Sequence, residues 1–321
     1  MRKILRYGIN IIIILIFAFL TFYKPDYIIY SPGGIHSVKK YYEIDDENKI
    51  NGSINITYVS SVRPNLIYYF YAKLRGFDIE KIEDTIYDDY KTEEYVSVLM
   101  YVSSIDNAIY NAYKEANKDI AIDNEKIYVH YSINDKSPLK PGDQLLELNG
   151  EKINTRLDVN RIVNSNFEEK IKVKYLRAGK ELEDEVTVIT VGERRYLGVA
   201  LIDTFDYRTD PKIDFYIADD VSGPSGGSMI ALSIYCSLID KDIVKGRTIA
   251  GTGTIDRDGN IGPIGSIDYK VKSAVKKKAD IFFVPADTNY DEILKLDVDL
   301  KNTKVVPVST FKEIIEYLEN N

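Results

Sequence analysis

The sequence predicts a chain of mixed α+β and α/β class: an N-terminal transmembrane helix, a small β-domain with one or two helices, and a C-terminal α/β domain. Three features carry this expectation. A basic tip precedes a long uncharged stretch at the N-terminus. Short strands separated by tight turns fill the middle of the chain. After Gly192 strand and helix patterns alternate. The 321 residues are enough for two compact domains. The expected divisions are 1–24, 25–118, 119–192 and 193–321.

In the first division Arg2, Lys3 and Arg6 precede an uncharged run from Tyr7 to Tyr23. This is the short end of the ~17–25 residues that span a bilayer. A cleaved signal peptide, with an apolar region of ~7–15 residues, is the rival. No small-x-small cleavage site follows and FYKPDY is bulky, so the run reads as an uncleaved anchor. The basic flank then stays in the cytoplasm and the chain after Lys24 is exported. That makes a single-pass protein of a bacterial-type cell membrane, with most of its mass outside. Residues 25–118 begin polar and tyrosine-rich, with a turn expected at Ser31–Gly34. INITYVSSV (54–62) alternates as a strand, and helices are expected over Asn65–Leu74 and Glu93–Asn117. The acidic segment between them, DIEKIEDTIYDDYKTEE, reads as a solvated loop or helix face.

From Asp119 the pattern changes. KIYVHYSI reads as a strand, followed by a turn, the strand QLLELN, a tight Asn149-Gly150 turn and another short strand. TRLDVNRIVNS is a short helix, and KIKVKYLRAGKELEDEVTVIT a hairpin joined at Arg177–Lys180. Beyond Gly192, YLGVALI and KIDFYIA are strands. SMIALSIYCSLI is a helix apolar on nearly every side, and therefore buried. RTIAGTGTI is a strand with a turn after it at Asp258-Gly259, and IDYKVKSAVKKKA an amphipathic helix. DIFFVPA and KVVPV are strands, and Ser309 and Thr310 both suit the cap of the last helix, FKEIIEYLEN.

Composition excludes several classes. A net charge of −8 with acids and bases well mixed leaves no basic patch for nucleic acid. The single cysteine, Cys236, forbids an internal disulfide and lies in an apolar run, as a core thiol does. His36 and His130 are the only histidines and read as surface or strand residues. With no HExxH, CxxC or GxxxxGK[ST] pattern, neither a metal nor a nucleotide cofactor is expected. Asp256, Asp258 and Asn260 imitate part of a calcium loop, but its first position would be Thr254 and its twelfth Gly265, so a hairpin turn is the better use. Asn51 and Asn55 begin short glycosylation-type triplets, a pattern with many chance matches.

The stretch DVSGPSGGSMIA (220–231) carries the chemistry. Gly226 and Gly227 let another chain approach the backbone. Ser225 sits where loop becomes helix, and backbone N–H groups there, around Gly226, can hold an oxyanion. A serine in that place is a nucleophile or an ordinary helix cap. With histidine scarce, its base would be a lysine, which burial can bring toward neutrality. On the helix 267–279, Lys270 lies beside Ile267 and Ala274 at the edge of the apolar face. Lys272 and Lys276 point away, and Lys278 falls near the helix end. A boundary lysine that snorkels would have the same spacing as a buried base.

Two resemblances follow from these residues. Ser137-Pro138, Leu139, Pro141-Gly142-Asp143, Leu145, Leu146 and Asn149-Gly150 resemble a PDZ domain of the kind attached to bacterial proteases. GPSGG (223–227), AGTGTIDRDGNI (250–261) and GPIGSIDYKVKSA (262–274) resemble the proteolytic domain of Lon proteases. The layout is similar to a membrane-anchored branch that joins an anchor, a PDZ domain and a Lon-like domain without an ATPase. This resemblance implies a Ser-Lys dyad of Ser225 and Lys270, with Thr252 helping to hold the lysine. It also implies an ATP-independent serine endopeptidase acting on exported peptides or membrane-proximal proteins, in a ring-forming homo-oligomer. Gly226 stands where the family has alanine, Ser266 where it has the second glycine of PIGG, and Ser222 where many members have aspartate. The alternative is a weakly active or inactive scaffold whose PDZ-like domain binds peptides or partner proteins.

Overall fold

The computed structural model describes residues 2–82, 90–134, 136–217 and 223–321. Ser222 and the centre of the acidic segment lie outside the described residues. The N-terminal part comprises α1 (Arg2–Phe22), β1 (Tyr27–Ser37), β2 (Tyr42–Ile44), β3 (Ser53–Val62), α2 (Leu66–Arg75), β4 (Asp78–Lys81) and α3 (Tyr90–Glu115). The Asn65 side chain accepts from the Tyr68 N–H to start α2, and Gly76 in the left-handed region ends it. The turn expected at Ser31–Gly34 is instead the middle of β1. A bulge between Pro32 and Gly34 interrupts the pairing with β3 there. A Cβ on Gly33 would lie 2.3 Å from the Tyr58 carbonyl oxygen, so glycine here serves a close strand crossing rather than a reversal.

The middle of the chain builds β5 (Asp119–Ser132), β6 (Gln144–Leu148), β7 (Glu151–Lys152), α4 (Arg156–Ser165), β8 (Lys170–Arg177), β9 (Lys180–Thr187), β10 (Ile189–Val191), β11 (Arg194–Tyr196) and β12 (Val199–Asp210). Its sheet has the order β12-β5-β6-β8-β9, with β7 paired to β6. Asn149 and Gly150 both take positive φ, as the two-residue turn requires. Thr155 and Asp158 form a reciprocal capping box on α4. Buried Asp143 closes the Pro-Gly-Asp turn by accepting from the Lys140 N–H and pairing with Arg177 at 2.7 Å.

The remainder forms β13 (Ile213–Phe215), α5 (Gly227–Leu238), β14 (Thr248–Gly251), β15 (Thr254–Ile255), β16 (Ile261–Gly262), α6 (Ile267–Lys276), β17 (Ile281–Pro285), α7 (Thr288–Lys295), β18 (Lys304–Val308) and α8 (Phe311–Asn320). The principal sheet runs β18-β17-β14-β3-β1-β4. Its first four strands are parallel, and β1 and β4 are antiparallel to their neighbours. Strand alternation divides the core. Ile281 and Phe283 pack with α3, α5 and α8 on one face, while Phe282 and Val284 pack with α6 on the other. Every residue of α5 is buried, as its all-round apolar sequence requires. Thr310 caps α8 by accepting from the Glu313 N–H, whereas Ser309 offers its N–H to the Glu313 carboxylate.

The layers cross the expected divisions at 118 and 192. Strand β3 lies between β1 and β14, with Ile54 beside Ile249, so residues 25–118 share a sheet with the C-terminal strands. Strand β12 pairs along β5 from Val199–Ser132 to Asp210–Asp119, so the small sheet extends to residue 210. The small sheet is therefore an insertion into a larger α/β unit. Among the described residues no helix is long and apolar enough to cross a membrane. Helix α1 nonetheless leaves Ile9, Ile11–Phe17, Phe19 and Phe22 exposed.

Candidate active site

Gly223, at φ 83, turns the chain into a single 3-10 turn at Pro224–Gly226 that runs directly into α5. Ser225 sits half-buried in this turn, and its hydroxyl caps neither the turn nor the helix. The cap positions fall to Gly223 and Gly226, so Ser225 is not the cap, and among the described residues its hydroxyl has no hydrogen bond. The backbone is held from two sides. The Ser225 carbonyl accepts from the Gly253 N–H at 2.8 Å and from Thr252 Oγ1 at 3.0 Å, and the Ser228 N–H reaches the Gly253 carbonyl at 3.1 Å. On the other side, Ser104 Oγ donates to the Pro224 carbonyl at 2.9 Å and the Gly223 N–H donates to the Ser97 carbonyl at 3.3 Å. A Cβ on Gly227 would lie 2.4 Å from Ser104 Oγ and 2.7 Å from Ile255 Cγ2. The Gly227 contacts account for glycine there, whereas a Cβ on Gly226 would meet only the Ile56 side chain, at 3.1 Å.

Lys270 is 4% exposed, on the buried face of α6. It does not snorkel. Its Nζ donates to Thr252 Oγ1 at 3.3 Å. Burial pushes its ammonium down to about 8, because the charged form loses its water. Thr252, itself buried, therefore links the amine to the backbone carbonyl of Ser225. Lys272, Lys276 and Lys278 are exposed, and Lys272 pairs with Asp268 at 3.1 Å. A neutral amine that donates one hydrogen to Thr252 keeps its lone pair to accept a proton. A hydroxyl, a depressed lysine and helix-start N–H groups together can perform acyl transfer.

Two further residues set the approach to Lys270. Asn289, on α7, bonds both the N–H and the carbonyl of Ile264 at 2.8 Å and fixes the loop before α6. Ser266 takes φ 55, ψ 44, a conformation glycine adopts without a Cβ clash. Replacing it should relax the backbone: Ser266→Gly is expected to raise unfolding stability by about 0.5–1 kcal/mol, measured by chemical denaturation.

The Asp256–Asn260 stretch is occupied with its own turn. The Asp256 carboxylate accepts from the N–H groups of Asp258 and Asn260 and from Asn260 Nδ2, while Asn111 on α3 holds the Asp256 carbonyl at 2.8 Å. Strands β15 and β16 pair on either side as a hairpin. Among the described residues no group of His, Cys, Asp and Glu could hold a metal ion. His36, on β1, bonds the Tyr41 hydroxyl at 2.9 Å. His130, on β5, is half-buried, and burial lowers its pKa.

A groove of about 580 Å³ runs between the small sheet and the serine turn, lined by Met100, His130, Leu201, Pro224, Thr254 and Arg257. Arg257 ties its two walls, pairing with Glu125 at 2.8 Å and Asp203 at 3.0 Å. Arg156 reaches the same Asp203 at 3.1 Å. Ser97, Ser104 and Asn289 escape sequence reasoning. They are ordinary polar helix residues, and only the packing of α3 and α7 brings them to the site.

Residues 218–320 match the model of the Lon protease (S16) C-terminal proteolytic domain. The chain is 30% identical over 122 residues to the Lon protease of Campylobacter jejuni, covering 34% of this chain and 15% of that one. It is 31% identical over 118 residues to Lon protease 2 of Borreliella burgdorferi, covering 36% and 14%. With Lon protease 2 of Bacillus subtilis it shares 33% identity over 107 residues, covering 33% and 18%. The chain thus spans only 14% to 18% of the length of these relatives. Among solved structures, the PDZ domain of an SdrC-like protein from Listeria monocytogenes matches at 20% identity and a TM-score of 0.22, covering 24% of this chain and 86% of that one. The part of the chain that carries the serine turn and the buried lysine is therefore similar to the Lon proteolytic domain, a similarity that points to a serine peptidase.

Proposed function

We propose that the chain is an ATP-independent, membrane-anchored serine endopeptidase using Ser225 as nucleophile and Lys270 as base. The observation that carries this reading is a buried lysine, depressed to about 8, joined through Thr252 to the backbone of a spare serine at a helix start. Ser225 Oγ attacks the scissile carbonyl carbon while neutral Lys270 Nζ takes its proton. Backbone N–H groups around Gly226 stabilise the oxyanion. The ammonium then protonates the leaving amine, and the acyl-enzyme forms as the C–N bond breaks. Water attacks the ester, Lys270 accepts its proton, and Ser225 recovers its own as the acid leaves.

Substrates are extended polypeptides, either exported or close to the membrane. The groove beside Pro224 and its PDZ-like wall suit a single unfolded segment. Membrane attachment rests on α1. Its uncharged part, residues 7–22, amounts to about 24 Å of helix, short of a hydrocarbon core of about 30 Å but extended by the basic tip at the headgroups, and Ile9, Ile11–Phe17, Phe19 and Phe22 are exposed. By the excess of Lys and Arg at its tip, the proposed orientation has the N-terminus in the cytoplasm and the remainder outside.

The full-length protein, incubated with an unfolded polypeptide and no nucleotide, should release fragments seen by mass spectrometry. Absence of fragments between neutral pH and pH 9 would sink the reading. Thr252 offers a finer test. Thr252→Val removes a hydrogen bond at each end of the link and should lower kcat about 10–100-fold, while Thr252→Ser keeps most of the activity. Equal rates for the two variants would show that the hydroxyl does not act.

A further inference from the structure

Helix α2 is amphipathic the wrong way round. Ile67, Phe70, Tyr71 and Leu74 follow the i, i+3, i+4, i+7 spacing of a core stripe, yet they are 43%, 59%, 47% and 85% exposed. Helix α8 shows what that spacing does elsewhere in this molecule: Phe311, Ile314, Ile315 and Leu318 are all buried. The other side of α2 is already satisfied. Ala72 is fully buried, and the Tyr69 ring lies 5.1 Å from that of Tyr27 on β1. The outward stripe is thus surplus to folding.

Its surroundings say what covers it. Helix α2 packs against α1, whose exposed aliphatic surface ends in Phe22 and Tyr23. The two apolar surfaces adjoin. Helix α2 contains no acidic residue and carries Lys73 and Arg75 at its C-terminal end, with Lys24 between α1 and β1. Exposed aromatic rings and flanking cations on a helix without an acidic residue are the composition of a helix lying in the headgroup region, and Asp26, in the linker from α1, is paired with Arg63.

We propose that α2 is a second membrane contact: it lies in the plane of the bilayer surface beside α1, with Ile67, Phe70, Tyr71 and Leu74 dipped among the lipids. This rests on the reading that α1 enters the membrane. Two contacts fix orientation where one helix leaves the catalytic unit free to rotate. The α/β unit, including the serine turn, is then held at a constant height and tilt over the bilayer.

The chain contains no tryptophan, so a single introduced indole reports its own position. Three full-length variants, reconstituted in phosphatidylcholine vesicles with or without brominated acyl chains, separate the readings: Phe17→Trp on α1, Leu74→Trp on α2, and Leu294→Trp on α7, all exposed positions. Loss of emission in brominated vesicles for F17W and L74W, with L294W unaffected, is the expected result. Quenching of F17W alone overturns the docking of α2 and leaves the anchor standing. Quenching of neither overturns the anchor and the docking together. Equal quenching of L294W means adsorption of the whole chain, and also overturns the proposal. A blue shift of L74W that grows with protein concentration in detergent, without lipid quenching, assigns the stripe to a second copy and overturns it too.

Discussion

Ser225→Ala is expected to abolish peptide-bond hydrolysis while leaving the fold untouched. Removing a nucleophile that works with its own base costs at least about 10⁴-fold in kcat. The stability half of this expectation follows from the structure. The Ser225 hydroxyl caps neither the 3-10 turn nor α5, while the bonds that hold the turn end on backbone carbonyls or come from Ser104 and Thr252. Alanine keeps the backbone carbonyl and all of those contacts. The variant should therefore unfold within about 0.5 kcal/mol of the native chain. Fragment release from an unfolded polypeptide and a denaturation curve, measured on the same preparation, check both halves. Undiminished cleavage by a well-folded Ser225→Ala protein would remove Ser225 from the mechanism and return the chain to the scaffold reading.

How much of this was legible in the sequence depends on how locally each feature is determined. Helix α5 announces itself, because a run apolar on every side has nowhere to go but the core, and all of it is buried. The Asn149-Gly150 turn and the cap of α2 are equally local. Lys270 was separable from Lys272, Lys276 and Lys278 by its place on the helix face, since the side of a helix that packs is set by spacing. Whether it snorkels was not legible, because spacing does not reveal what lies above a side chain. The parallel pairing of β3 with β14 was hidden for the same reason. It joins Ile54 to Ile249 across a long stretch of chain, and a strand's own pattern does not name its neighbour. Local signals were also misleading at Ser31–Gly34, where turn-forming residues run through a strand. There the absence of a side chain on Gly33 serves its packing on Tyr58 rather than a reversal of the chain.

Lys270→Met should inactivate the protein and stabilise it. The loss of activity follows from loss of the base, at least about 10²–10⁴-fold. The gain in stability follows from burial. Lysine ordinarily titrates near 10.5 and here is brought to about 8, so at neutral pH the fold carries a charge that its surroundings disfavour. The penalty is complete below pH 8. Between about 8 and 10.5 the unfolded chain binds the proton that the folded chain has released, so stability rises with pH across that window until the penalty is gone. Methionine fills the same space without a charge. At pH 7 the variant should unfold about 2–3 kcal/mol later than the native chain, and the advantage should shrink to little by pH 10.5. Activity of the native chain should also rise as this group loses its proton, but at lower pH, because it follows the folded-state titration alone. The neutral amine is the base, so kcat/KM should climb about tenfold per pH unit up to about pH 8 and then level. Lys278→Ala, at an exposed position, should change neither curve. Denaturation and initial rates over pH 6–10 test the three statements together. A Lys270→Met protein whose stability advantage over the native chain is no greater at pH 7 than at pH 10 would mean that the buried ammonium is compensated, and a compensated ammonium cannot serve Ser225 as a base.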